Sequence, residues 1–416
     1  MGTSAAQVIV IGAGAAGLAA AAALAQAGRS VLILEARDRV GGRCLTRRMA
    51  GLEVPVELGA EFIHGEAKAT RKLLRRAGIA AVASTREQRA LEGGRLRPVN
   101  AFAEAQRAIQ GLRLPEADGS FADLLRTRTL PERTRTFARL MVQGFDAADP
   151  DRVSAHSIIE EWGEGGSLGA SQPRPRGGYG ALFDWLSRFI VARGVRLQLD
   201  SPVRRVEWRR GAVSIRTASA MYRARRAIVT LPLGVLQSNA VRFSPRLSEK
   251  KAALEQLASG PVIRVAMRFH APFWEARAPG VAFFHVPEAA FPTFWTPLPM
   301  RAALITAWAG GPKAARLTGS STARLLEQAL ASVRRVFGTR VEREAAAAYV
   351  QDWEADPYAR GGYSYVLVGG AGARERLAEP LAETLYFAGE ATDREEAGTV
   401  AGALRSGERA ARQILG

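Results

Sequence analysis

The feature that most constrains this chain is "VIVIGAGAAGLAAAAALAQAG", beginning at Val8. An apolar run at Val8 to Ile11 leads into Gly12, Gly14 and Gly17, and then into an alanine-rich stretch that ends at Gly28. The spacing predicts a strand, a tight turn and a helix. Glycines here permit the turn, the close approach of a pyrophosphate to the backbone, and close packing of helix on strand. The N-terminus of the helix would present unpaired N–H groups and a partial positive charge to phosphates. A second apolar run, "SVLILEA", ends in Glu35, placed to accept hydrogen bonds from ribose hydroxyls and to disfavour a 2'-phosphate. In this order the elements predict an adenine-dinucleotide site.

The length, 416 residues, suggests two or three domains, and 47% hydrophobic residues suffice to build their cores. The formal charge of +18 is mostly arginine, since lysine occurs only at Lys68, Lys72, Lys250, Lys251 and Lys313. Such a balance raises the question of a nucleic-acid or anionic-membrane partner. The arginines are scattered, however, with no basic run interleaved with aromatics, so nucleic acid is not the expected partner. A small cationic substrate would instead need a local acidic mouth. Cys44 is the only cysteine, which excludes an intramolecular disulfide and a multi-cysteine metal site and fits a reducing cytoplasm. The four histidines are far apart in sequence, and no metal constellation is expected. The N-terminus reads without a signal peptide, and no stretch reads as a membrane anchor. Nothing in the sequence decides the oligomeric state.

Directly after Glu35 come Arg37, Gly41, Gly42 and Arg43, an insertion that a plain NAD site does not need. Four further blocks stand out in order: "ELGAEFIHG" from Glu57, "VTLPLGVL" from Val229, "DPYARGGYSYV" from Asp356, and "LYFAGEATDREEAGTVAGALRSGERAARQIL" from Leu385. Together with the opening unit they resemble the flavin-dependent amine oxidases, the group of monoamine and polyamine oxidases, L-amino-acid oxidases and lysine-specific demethylases. The resemblance runs from end to end. It implies an α/β fold: a Rossmann-like FAD-binding domain with an inserted mixed α+β substrate-binding domain. The FAD domain would comprise residues 1–82, 179–253 and 356–416, and the substrate domain residues 83–178 and 254–355.

The resemblance also implies cofactor contacts. FAD would lie extended, with Gly12, Gly14, Gly17, Glu35, Arg37, Gly42, Arg43, Gly59, Ala60 and Val203 around its adenine and pyrophosphate half. Gly389 and Glu390 would meet the ribityl and pyrophosphate part, and Thr399, Val400 and Ala401 the pyrimidine edge of the ring. A helix starting near Thr399 would aim its positive end at the edge that gains negative charge on reduction. Val203 could equally be a strand core residue. With no cysteine in the C-terminal aromatic block, FAD is expected to be noncovalent.

The chemistry implied is hydride transfer from the carbon beside an amine nitrogen to the flavin. The imine then hydrolyses to an aldehyde or ketone, and O2 or another acceptor takes the electrons. Tyr363 and Trp353 would form an aromatic cage, with Thr399 where monoamine oxidases place a second tyrosine. His64 matches a position near the substrate channel. Glu61, Glu160, Glu161 and Glu164 are candidate local acids for a cationic substrate; the last three could also form a solvated face. Arg264 is a departure, since the family usually carries lysine there. Arginine stays protonated and presents a planar fork. It could serve as a fixed cation, or mark a slow reaction with oxygen and a different acceptor, or a neighbouring residue on an exposed strand could hold the position. An L-amino-acid oxidase is the close alternative, since the carboxylate partner it needs could be any of many arginines. A basic flavoprotein that binds nucleic acid is the alternative of another class.

Local pattern predicts helices in the first insertion, as in "RTFARLMVQGF", with breakers at Pro131 and Pro150, and a loop at residues 165–180. The second insertion predicts strands at "VIRVAMRF" and "AALITAWAG" and a helix from Ser321 to Val336.

Overall fold

The computed structural model describes residues 6–85, 87–163 and 172–416. The opening unit forms as predicted, with a strand Val8–Ile11, a helix Ala15–Gln26 and a strand Val31–Leu34. These strands lie in a five-stranded parallel sheet. Its order runs Leu385–Phe387, Arg226–Val229, Val8–Ile11, Val31–Leu34, Arg196–Gln198. The strands "VIVI" and "VLIL" are buried along their whole length, as a parallel sheet covered on both faces requires. Alternate residues serve different cores. Val8, Val10, Val31 and Ile33 pack with three helices, Ala15–Gln26, Gly178–Val191 and Val400–Leu415. Ile9, Ile11, Leu32 and Leu34 pack with a small sheet that includes Arg205–Arg209 and Ala212–Arg216.

Alanine lets the first helix lie close to the last. At Gly407 of the final helix an added Cβ would stand 2.1 Å from the Ala16 carbonyl oxygen, so only glycine fits there. Gly17 is tight for the same reason: a Cβ would stand 2.0 Å from the Gly12 carbonyl oxygen.

The sequence between these strands builds a second, seven-stranded sheet ordered Ala345–Asp352, Val262–Phe269, Leu304–Gly310, Thr293–Trp295, Phe283–His285, Gln88–Glu92, Arg95–Pro98. The predicted strands at "VIRVAMRF" and "LITAWAG" pair directly, and helix Thr322–Phe337 packs on them with Ser321 as its N-cap. Two expectations differ. The first insertion is helical over Glu132–Gly144 and elsewhere, yet it also supplies the hairpin Gln88–Pro98, turned by Gly93 and Gly94 at φ +55° and +77°. The predicted loop at 165–180 ends in structure: Arg174–Pro175 pairs with Ala81–Val82, and a helix starts at Gly178. Its residues 165–171, like Glu164, lie outside the described residues.

Candidate active site

A cavity of about 1660 Å³ runs from Glu35 and Val203 to Phe102 and Trp308. It exceeds the roughly 300–1,000 Å³ of ordinary small-molecule pockets, leaving room for a dinucleotide and a second molecule. The sequence-predicted residues Gly12, Gly14, Glu35, Arg37, Gly42, Arg43, Gly59, Ala60, Val203, Gly389, Glu390, Thr399 and Val400 all line it, as do His64, Arg264, Trp353 and Tyr363. Gly17 and Ala401 lie behind the wall, where Gly17 sets the tight turn.

At one end the glycine turn leaves an open cradle. Helix Ala15–Gln26 has no side-chain cap, so its first N–H groups are available to an anion. A Cβ at Gly14 would meet nothing within 4 Å, so this face is open. Glu35 is buried and accepts from Ala13 N at 2.7 Å and from Arg37 N at 2.9 Å, which fixes the carboxylate while leaving further acceptor sites. Arg37 is held in two bonds to Asp356, at 3.0 and 2.7 Å, with Tyr358 beside its guanidinium. This pairing with the C-terminal block is not visible in the sequence.

In the middle, Arg43 Nη1 donates to Glu390 Oε1 at 3.0 Å and to the Gly362 carbonyl at 2.6 Å. The other Glu390 oxygen accepts from Ser364 Oγ at 2.7 Å, and Arg374 donates to the same hydroxyl at 2.6 Å. Burial would raise the Glu390 carboxyl, but Arg43 and Arg374 hold it below the usual range. Gly389 adopts φ +140°, and its N–H donates to Ser406 Oγ at 2.8 Å, tying this loop to the last helix. That helix is Val400–Leu415, capped by Thr399 Oγ1, which accepts from Gly402 N at 3.0 Å.

At the other end the wall is aromatic. Ring centroids step from Phe102 to Phe145 at 5.5 Å, to His64 at 5.2 Å, to Phe62 at 6.2 Å, to Trp295 at 5.7 Å and to Trp308 at 6.0 Å. His64 Nδ1 is buried without a partner, and burial lowers its imidazole to about 4, so it is neutral near pH 7. Tyr363 packs beside Gly398, next to Thr399, and its hydroxyl donates to the Phe145 carbonyl. Burial keeps that phenol protonated. Trp353 is buried in a core with Tyr363 and Trp308, and its indole N–H donates to the Leu58 carbonyl at 2.8 Å. It supports the wall more than it faces the cavity.

Arg264 sits on an interior strand, paired on both sides, and is 2% exposed; the expectation of an exposed strand does not hold. Its Nη1 donates to the Gly59 carbonyl at 2.8 Å and its Nη2 to Glu61 Oε2. Glu61 also pairs with Arg174 and accepts from Trp295 Nε1 at 3.1 Å. Burial opposes the Glu61 anion, but Arg264 and then Arg174 hold it below the usual carboxylate range. One carboxylate between two guanidiniums leaves no negative charge for a substrate, so Glu61 is not the local acid that the sequence suggested. Glu160 and Glu161 do line the cavity, and with them Asp146, which sequence reading missed.

The fold and the site define an α/β architecture in which both ends of the chain close on one cavity. Residues 15–415 match the family described as flavin containing amine oxidoreductase, and the chain belongs to that family. It is 30% identical to lysine-specific histone demethylase 2 of Homo sapiens over 98% of its own length, and spans 53% of that protein. It is 28% identical to polyamine oxidase 4 of Oryza sativa subsp. japonica, over 97% of this chain and 87% of that one. Among solved structures, putrescine oxidase bound to putrescine superposes with a TM-score of 0.83 at 23% identity, over 99% of each chain. Cyclohexylamine oxidase from Brevibacterium oxydans IH-35A gives 0.81 at 22% identity, over 99% of this chain and 98% of that one.

Proposed function

We propose that the chain binds FAD noncovalently and oxidises a primary or secondary alkyl amine to an imine, released as an aldehyde or ketone, with O2 or another acceptor taking the electrons. One observation carries the choice of an amine. Among described residues 83–178, the cavity lining carries Asp146, Glu160 and Glu161 and no lysine or arginine. In residues 254–355 the lining holds one arginine, Arg264, which is paired with Glu61, and no lysine. The end lined by the aromatics thus suits a cation and offers no free guanidinium to the carboxylate of an amino acid. Among the other basic lining residues, Arg37 and Arg204 lie at the glycine-turn end and Arg43 in the middle, where a pyrophosphate needs them.

The open cradle at Gly14, the uncapped helix behind it and the arginines fit FAD. Residues 1–82, 179–253 and 356–416 form the FAD domain in this reading, and residues 83–178 and 254–355 the substrate domain. When bound, FAD supplies a hydride acceptor for the carbon beside the amine nitrogen. The aromatic wall takes the alkyl chain and excludes water, which favours the neutral amine that must react. Tyr363, held by the Phe145 carbonyl, orients the nitrogen with its ring face. His64, neutral and beside Phe62 and Phe145, adds no competing charge. Arg264 acts as a fixed cation. Cys44, the sole thiol, lies by the glycine turn and is held protonated by burial, consistent with noncovalent FAD. Relatives named for lysine demethylation and for polyamine oxidation support an amine as substrate.

The test is to incubate the FAD-loaded protein in air with alkyl amines and with L-amino acids, and to assay carbonyl product and hydrogen peroxide. Amines should yield the carbonyl. Peroxide in equal amount assigns O2 as acceptor, and carbonyl formed only with an added acceptor assigns another. Turnover confined to amino acids would overturn the proposal.

A further inference from the structure

The small sheet that packs on Ile9, Ile11, Leu32 and Leu34 has four strands, ordered Met221–Ala224, Ala212–Arg216, Arg205–Arg209, Arg242–Ser244. Its side chains alternate between two faces, as the pleat of a strand requires. Val206, Trp208, Val213, Ile215, Tyr222 and Phe243 turn to the core. Arg205, Arg209, Arg216, Arg223 and Arg242 turn the other way and are exposed. Arg205 stands directly opposite Arg216 on one side and Arg242 on the other, so a row of arginines crosses three neighbouring strands. Like charges placed opposite one another destabilise a sheet. Among the described residues one acid shares this face: Glu207, which pairs with Arg205 at 2.8 Å. Arg209, Arg216, Arg223 and Arg242 have no ion pair there. Scatter along the sequence, which spoke against a polyanionic partner, gives way to alignment once the strands pair.

We propose that this face binds double-stranded nucleic acid through its phosphate backbone, without reading its sequence. A guanidinium offers phosphate a planar fork of donors. Neighbouring strands lie about 4.8 Å apart, which sets the arginine row closely enough to meet the phosphates of a duplex, spaced at about one charge per 1.7 Å of its axis. None of these arginines lines the large cavity, so the proposal stands apart from the amine reading.

The apolar side chains decide between polyanions. Single strands are held by bases stacked on aromatic side chains, and a membrane surface is held by apolar side chains inserted into it. Trp208 and Tyr222 lie on the opposite face of the sheet. Met221, 42% exposed at the end of the arginine row, is the one large apolar side chain on this face. What the face offers is contact with phosphates alone, which positions a duplex but carries no sequence information.

The experiment titrates the FAD-loaded protein into a fluorescent DNA duplex of about two helical turns, reading anisotropy across a series of salt concentrations. With Arg209, Arg216, Arg223 and Arg242 each meeting a phosphate, the logarithm of the binding constant should fall with the logarithm of salt at a slope of about −3 to −4. Arg216→Gln combined with Arg242→Gln should flatten that slope by about 2 and weaken binding at low salt at least about tenfold. Arg324→Gln combined with Arg335→Gln removes the same charge from exposed positions on the helix Thr322–Phe337 and should change neither. Thermal melting checks that each double variant folds, and Arg209→Gln combined with Arg223→Gln replaces the first where it does not. Vesicles of equal parts phosphatidylglycerol and phosphatidylcholine serve as the competing surface. Absence of duplex binding at low salt, equal loss in the two sets of variants, or binding to vesicles in preference to the duplex overturns the proposal.

Discussion

Arg43 and Glu390 are 347 residues apart in the chain, and the arginine Nη1 lies 3.0 Å from the carboxylate Oε1. The contact joins the insertion after the first glycine turn to the loop before the last helix, so the cavity closes only when both ends of the chain are folded together.

Arg43→Ala should therefore act on the cofactor before it acts on chemistry. Glu390 keeps Arg374 and Ser364, so the fold survives at a cost of about 1–3 kcal/mol. FAD affinity should fall at least about tenfold, since a charge-assisted phosphate contact is lost. Fluorescence titration of FAD into the apoprotein, for the variant and the unaltered protein, measures this directly.

Gly407→Ala places a Cβ 2.1 Å from the Ala16 carbonyl oxygen, on backbone that cannot swing away. The helices Ala15–Gln26 and Val400–Leu415 must separate, which costs about 1–3 kcal/mol. Thermal melting should show the loss, and added FAD should recover part of it, because binding stabilises the folded state.

Glu57 links the pieces of the chain differently. It is buried, accepts from Tyr179 N at 2.6 Å and from Thr46 Oγ1 at 2.8 Å, and burial pushes its carboxyl up to about 7. Because the folded state binds this proton more tightly than the unfolded state, the contribution of Glu57 to stability is fully present at low pH and is lost as pH rises from the ordinary carboxylate value to about 7. The fall attributable to this group is about 3 kcal/mol. Glu57→Gln should flatten that part of the profile in urea melts taken across the same pH range.

Arg264 and Glu61 test the departure from the family's lysine. Glu61→Gln leaves two buried guanidiniums without their carboxylate and should cost about 3–5 kcal/mol. Arg264→Lys keeps a charge on the same strand but gives up the fork that serves both Gly59 and Glu61. If the guanidinium slows reaction with oxygen, this variant should regain its yellow colour faster in air after anaerobic bleaching. An unchanged rate would remove Arg264 from the oxidative half-reaction.

The dinucleotide half was legible because its signals are local. A glycine turn, an apolar strand and a carboxylate after the second strand lie within thirty-odd residues of Gly12, and each has one physical use. The helix caps Ser321 and Thr399 were legible for the same reason. The pairs that shape the site were not. Arg37 with Asp356, Arg264 with Glu61, and Arg174 with Glu61 join residues more than a hundred positions apart, and arginine is too common in this chain to mark its partners. Asp146 escaped notice because its neighbours "GFDAADP" read as a helix end, and its place in the cavity wall exists only in three dimensions. The hairpin at Gly93–Gly94 was legible and missed, since helical spacing elsewhere in the insertion outweighed a two-glycine turn.

The most direct measurement is the visible spectrum of the yellow, FAD-loaded protein mixed without air with an alkyl amine and with the same amine deuterated beside the nitrogen. Amine oxidation in this cavity requires the flavin band to bleach, and to bleach severalfold more slowly with the deuterated compound. A band that stays unchanged across the whole amine series would contradict it.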